Sequence, residues 1–164
     1  MISLRTATRD DIPVLADVLA NVEAQVDPSI DVEECRKAFA EGIDGYFGAD
    51  EPESILSIIE LDGAPAGRFR VVRFPDRIFL GGIQIHPAFQ GNGIGTHLIR
   101  ALIEESRSTA KPLHLDVDRN NVSARRLYER LGFEQHAESE RDFHMAFHPD
   151  RGVRHEQAGE DLIR

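Results

Sequence analysis

The chain of 164 residues contains one cysteine, Cys35, no tryptophan, and only two methionines and two tyrosines. A lone cysteine excludes an internal disulfide and a cysteine-built zinc site. No apolar run approaches the roughly 20 residues that cross a bilayer, and the opening MISLRTATRDD lacks the apolar core of a secretory signal. Positive charge is scarce as well. Nineteen Lys and Arg stand against 29 Asp and Glu, for a formal net charge of −10. Such a surface repels a phosphate backbone, and only Arg125-Arg126 forms a basic pair, so nucleic acid is excluded as a partner. A cationic ligand would be attracted. Together these absences point to a cytoplasmic protein with no membrane partner.

What is present reads as one globular domain, expected over residues 1–148, with a polar tail over 149–164. Ile2-Ser3-Leu4-Arg5 is strand-like. Thr8, Asp10, Asp11 and Pro13 mark a helix start, and Ile12, Leu15, Ala16 and Leu19 form one apolar stripe. A second helix begins near Asp31, turns Val32, Cys35 and Phe39 inward and is expected to stop near Gly42. SILSIIELDGAPAGRFRVVRF gives two strands around an Asp62-Gly63 turn, and RIFLGGIQI a third. After Pro87 the period changes. Ile94, Leu98, Ala101 and Leu102 are the expected buried side of a helix, with Glu105 turned to water. LHLDV is a strand with Leu113, Leu115 and Val117 on one face, and NVSARRLYERLGF a helix stopped by Gly132. FEQHAE and RDFHMAF close as paired strands. The expected order is β-αα-βββ-α-β-α-ββ, a mixed α/β layer structure. The closing strands and tail are compatible with a homodimer.

Gln90-Gly91-Asn92-Gly93-Ile94-Gly95-Thr96 joins a strand to a helix with glycine at every second position. The first N–H groups of a helix have no internal acceptor and favour an anion, and glycines let a phosphate approach the backbone. A P-loop is ruled out because no Lys follows Gly95, and a dinucleotide fingerprint because Thr96 stands where glycine is required. A tight strand-to-helix turn remains the alternative. Asn121, seven residues before Tyr128, and Tyr128-Glu-Arg-Leu-Gly-Phe133 form a second signature downstream.

The Gln-x-x-Gly-x-Gly run, its strand-Pro lead-in and the Tyr-x-x-x-Gly-Phe segment resemble the GCN5-related N-acetyltransferase family. The likeness covers nearly the whole chain, most closely from about Phe79 to Phe133. It implies a mostly antiparallel sheet of about seven strands, helices on both faces, and a fourth strand splayed from the fifth. It also implies acetyl-CoA as co-substrate, held by Gln90, Gly91, Asn92, Gly93, Ile94, Gly95 and Thr96, by the strand at Ile83, Gln84 and Ile85, and by Asn121 and Tyr128. Asn121 also reads as a helix cap.

Transfer to an amine needs a free base form of the amine, donors for the oxyanion, and a proton for the leaving sulfur. The resemblance gives the oxyanion the Ile85 N–H and the sulfur the Tyr128 hydroxyl. Many relatives carry a Glu on the strand before the glycine loop; Gly81-Gly82 stand there instead. Gln84 and His86, on one strand face, are the remaining candidates to handle the proton, through a water, as is Asp116 on the next strand. Asp116-Val-Asp118 otherwise reads as a solvated strand end, and the histidines lack metal-ligand spacing, so no metal is expected. The expected partner is a small-molecule or peptide amine. A non-catalytic acyl-CoA-binding module, an acyltransferase for a longer thioester or a hydroxyl, and an interaction domain without cofactor are the alternatives.

Overall fold

A computed structural model describes residues 1–51 and 53–151; most of the polar tail, 152–164, lies outside the described residues. Along the chain run β1 (Ile2–Thr6), α1 (Ile12–Val26), α2 (Val32–Tyr46), β2 (Ser54–Leu61), β3 (Ala64–Arg73) and β4 (Ile78–Ile85). They are followed by α3 (Ile94–Thr109), β5 (Leu113–Asp118), α4 (Val122–Arg130), β6 (Glu134–Glu138) and β7 (Asp142–Phe147). This is the expected order. The strands make one seven-stranded sheet, β1-β2-β3-β4-β5-β7-β6. β1–β2, β2–β3, β5–β7 and β6–β7 are antiparallel, and β4–β5 is parallel. The parallel register covers Ile78–Leu80 against Leu113–Leu115.

The chain divides into two compact units, one of Met1–Val72 with Gly81–Gly95, the other of Arg73–Leu80 with the described residues from Thr96 onward. In the first, Leu15 and Ala16 of the predicted stripe are fully buried, joined by Val18 and Ala20, while Ile12 and Leu19 are partly covered. Leu15 and Ala16 pack with Ala7, Ile43, Leu56 and Ile58 into one cluster, with Ile12 and Leu19 against it. The entry to α1 is pinned by Asp11, whose carboxylate accepts from the Thr8 N–H at 2.8 Å and from both Arg5 terminal nitrogens at 2.8 and 2.9 Å. That fork holds the Asp11 carboxyl below its ordinary pKa.

α2 corrects the sequence reading. Asp31 caps it as expected, accepting from the Glu33 and Glu34 N–H groups. The helix then runs through Gly42 to Tyr46, because Ile43 and Tyr46 continue the apolar stripe from Phe39 into the core. Gly42 is on the solvent side, where it costs helix propensity without ending the helix. The β2–β3 turn is as predicted, with Asp62 and Gly63 both at positive φ (51° and 83°).

In the second unit Leu113, Leu115 and Val117 are buried on β5, which pairs with β7 along its full length from Leu113↔Phe147 to Asp118↔Asp142. α3 buries Leu98, Ile99, Leu102 and Ile103; Ala101, expected inside, is exposed. Ile94, Leu98 and Leu102 of the predicted stripe are buried as expected, and Ile99 and Ile103, rather than Ala101, supply its second edge. Glu105 pairs with Arg73 through two hydrogen bonds of 2.7 and 3.1 Å. Ser106 is fully buried and donates to the Lys111 carbonyl at 2.5 Å, fixing the turn into β5. Gly132, at φ +99°, ends α4 as predicted.

Candidate active site

The glycine turn belongs to the first unit up to Gly95. Gly91 and Gly93 have φ of +83° and +70°, a region where a side chain strains the backbone, and a Cβ on either would meet nothing within 4 Å. The glycines therefore serve backbone shape and leave open space above it. Gly95 differs slightly: a Cβ there would make only ordinary contact with Ile83 Cδ1, at 4.0 Å. Ile94 is buried and anchors the first turn of α3. Asn92 donates its side-chain amide to the Phe89 carbonyl at 2.9 Å. Gln90 donates to the Ile85 carbonyl at 3.0 Å and exchanges two amide hydrogen bonds with Gln25 of α1, 2.9 and 3.1 Å long. The loop is thus tied to the end of β4 and to α1, while Gln90 to Gly93 stay exposed.

β4 is buried at Ile78 and Leu80, then half-covered from Gly81 to Ile85. The structure therefore brings Ile83, Gln84, Ile85 and Gln90 to Gly95 together. Gln84 Oε1 accepts from Arg68 Nη1 of β3 at 2.8 Å. His86 Nδ1 accepts the Ala88 N–H at 3.1 Å, so its proton is on Nε2, which faces Asp17 Oδ2 at 3.4 Å. Asp17 is itself held by Arg36, whose Nη2 and Nε lie 2.7 and 3.1 Å from Oδ1. These three side chains, with Phe89 and the apolar Val14, Val18 and Pro65, line a hollow of about 530 Å³. Both ring nitrogens of His86 are thus engaged. Sequence reasoning found His86 but missed Asp17 and Arg36, whose helices gave only a generic amphipathic pattern.

Thr96, Asn121 and Tyr128 belong to the second unit. Thr96 is the third residue of α3 and half-buried. Asn121 caps α4 as expected, its Oδ1 accepting from the Ala124 N–H at 3.2 Å. Tyr128 is the buried residue of α4, its ring 5.7 Å from that of Phe133. Burial pushes its phenol up to about 12, so the hydroxyl is protonated at any physiological pH. Arg125 is committed to Glu129 and Gln135, at 3.1 Å each, and lies over the Phe143 ring at 4.2 Å.

A histidine group occupies the same unit. The His114 ring of β5 lies 5.5 Å from His136 and 6.5 Å from His148, while His144 Nδ1 meets Asp116 Oδ1 at 2.5 Å. Burial foremost, then the neighbouring His136, His148 and Arg77, holds the His114 pKa below its ordinary 6.5. The unfolded chain then takes up this proton first as pH falls. The contribution is fully present above about pH 6.5 and is lost progressively below it. The urea midpoint is expected to fall between pH 7 and pH 5, and His114→Asn to fall less over the same interval. Equal slopes for the two proteins would exclude His114 as a source of acid sensitivity.

The site thus combines a seven-stranded mixed sheet, in which β4 runs parallel to β5, with a strand-to-helix turn stripped to backbone. The chain belongs to the acetyltransferase (GNAT) family, whose sequence model matches residues 20–133. A streptothricin acetyltransferase of Streptomyces lavendulae is 30% identical over 135 residues, 80% of this chain and 71% of that protein. A spermine/spermidine N(1)-acetyltransferase of Bacillus subtilis is 34% identical over 64 residues, 38% of this chain and 42% of the relative. Among solved structures, the PaiA N-acetyltransferase of Thermoplasma acidophilum, in complex with coenzyme A, superposes with a TM-score of 0.72 at 16% identity. That alignment covers 90% of this chain and 99% of the other, a likeness of fold. Among the described residues no helix is long and apolar enough to cross a membrane.

Proposed function

We propose that this chain transfers an acetyl group from acetyl-CoA to a primary amine of a small molecule or peptide, directly, within a ternary complex. Residues 1–148 act as one catalytic domain in this reading. The observation that carries it is the turn at Gly91 and Gly93: positive φ at both, open space above both, and the start of α3 immediately behind. Main-chain N–H groups presented this way suit a diphosphate. The half-covered stretch Ile83–Ile85 suits the amides of a pantetheine arm, which pair with a strand as another strand would. The named relatives, which acetylate streptothricin and spermine or spermidine, support an amine acceptor.

In the reaction the amine nitrogen loses a proton, a C–N bond forms, the C–S bond breaks, and the sulfur takes a proton. The Ile85 N–H donates to the oxyanion. Tyr128, a neutral phenol, donates to the sulfur. Gln84 and His86, the latter through its Nε2 edge beside Asp17, orient the acceptor or a water that relays its proton. A thiol-release screen of an amine library with acetyl-CoA tests the reading. Tyr128→Phe is expected to lower kcat by roughly 100-fold with little change in the KM for acetyl-CoA. If acetyl-CoA binds but no amine accelerates thiol release, the chain is a non-catalytic acyl-CoA binder.

A further inference from the structure

β3 carries Arg68 and Arg70 on one face, while Phe69 and Val71 on the other are buried. Both arginines lie against β4. A Cβ on Gly82 would stand 2.1 Å from Arg68 Nη1, and one on Gly81 2.8 Å from Arg70 Nη1. The paired glycines are the room these side chains occupy. The two cations are unequally satisfied. Arg70 has Ser54 Oγ at 3.1 Å, the Glu51 carboxylate at 3.5 Å and the Tyr46 ring at 5.6 Å. Arg68 has the neutral Gln84 amide and, among the described residues of its unit, no carboxylate. Burial first, and then the neighbouring Arg70, push its pKa down, as expected of a cation short of counter-charge. A guanidinium nevertheless stays protonated, so its field and its free N–H donors persist.

We propose that Arg68 receives a carboxylate of the acceptor, making the substrate an amine that also bears a carboxylate: an amino acid, a peptide with a free C-terminus, or a compound of that type. This rests on the acetyltransferase reading. Arg68 reaches β4 at Gly82 and Gln84, beside the stretch assigned to the pantetheine arm. A carboxylate fits the planar guanidinium fork in two-point fashion. The same positive field disfavours the ammonium form of a nearby amine, which aids attack where β4 offers no carboxylate base. A polyamine, carrying only positive charge, is repelled by the pair.

The full chain, saturated with acetyl-CoA, is offered the common amino acids and short glycine peptides, the matching C-terminal amides, and spermidine. At least one acid is expected to exceed its own amide about 30- to 100-fold in kcat/KM. Arg68→Gln should reduce that ratio to a few-fold while the protein still folds and still binds acetyl-CoA. Arg68→Lys should keep part of the preference. Equal turnover of acids and amides, turnover confined to spermidine, acceptance of no acid, or a ratio unaltered in both Arg68 variants overturns the inference. Calorimetry with acetyl-CoA alone separates the two levels: failure to bind it overturns the acetyltransferase reading, and this inference with it.

Discussion

Gly93→Glu is expected to weaken acetyl-CoA binding by 100-fold or more while the protein still folds. Two effects combine. Gly93 is at φ +70° with nothing within 4 Å of its missing Cβ, so a side chain there projects into the space a diphosphate needs. Glutamate also sets a carboxylate where the start of α3 otherwise favours an anion, and two like charges a few ångströms apart repel strongly. The conformational cost of a left-handed non-glycine residue is about 1–2 kcal/mol, which lowers the melting temperature by only a few degrees. Gly93→Ala carries that same cost without the charge. Calorimetry on both variants therefore separates shape from electrostatics. An affinity unchanged in Gly93→Glu would remove the cofactor from this turn.

The second large effect is in the scaffold. A Cβ on Gly67 would lie 2.4 Å from the Gln84 carbonyl oxygen, 3.3 Å from Ile85 Cα and 3.1 Å from Ile59 Cδ1. Two of these are main-chain atoms of β4, which cannot rotate away, so Gly67→Ala must displace the strand. Overpacking of this kind costs roughly 1–3 kcal/mol. In urea titrations the midpoint is expected to fall accordingly, with a further loss of activity because Gln84 and Ile85 move. Gly42→Ala is the opposing case. Gly42 is inside α2 with nothing near its missing Cβ, and alanine there should stabilise by about 0.5–1 kcal/mol. If both substitutions shifted stability alike, close approach at Gly67 would not be what fixes β4.

These contrasts also show how much was legible in the sequence. Gly91 and Gly93 could be read because their spacing between a strand period and a helix period leaves few uses for bare backbone. The same residue type misled at Gly42: a glycine on the solvent side of a helix ends nothing while apolar residues beyond it, here Ile43 and Tyr46, still have a core to enter. Ala101 was misplaced because alanine fits either side of a helix, and Ile99 and Ile103 outweigh it in apolar area. Asn121 was legible through a local rule, since a cap needs only its own next three residues. Asp17 with His86, and Arg68 with Gly82 and Gln84, join residues distant in the chain, and no local rule names such partners. One sign was available: Arg68 and Arg70 alternate with buried Phe69 and Val71 on a strand bordered by others on both sides. Charges at that position need a reason.

At Gly67 the main chain of β3 comes close beside that of its neighbour β4, near Gln84 and Ile85. A strand whose course is set by main chain close beside main chain has few conformations left to give up when a ligand arrives. Its ordering entropy is lost during folding, so association there should carry a small entropic penalty and little structural adjustment at this edge.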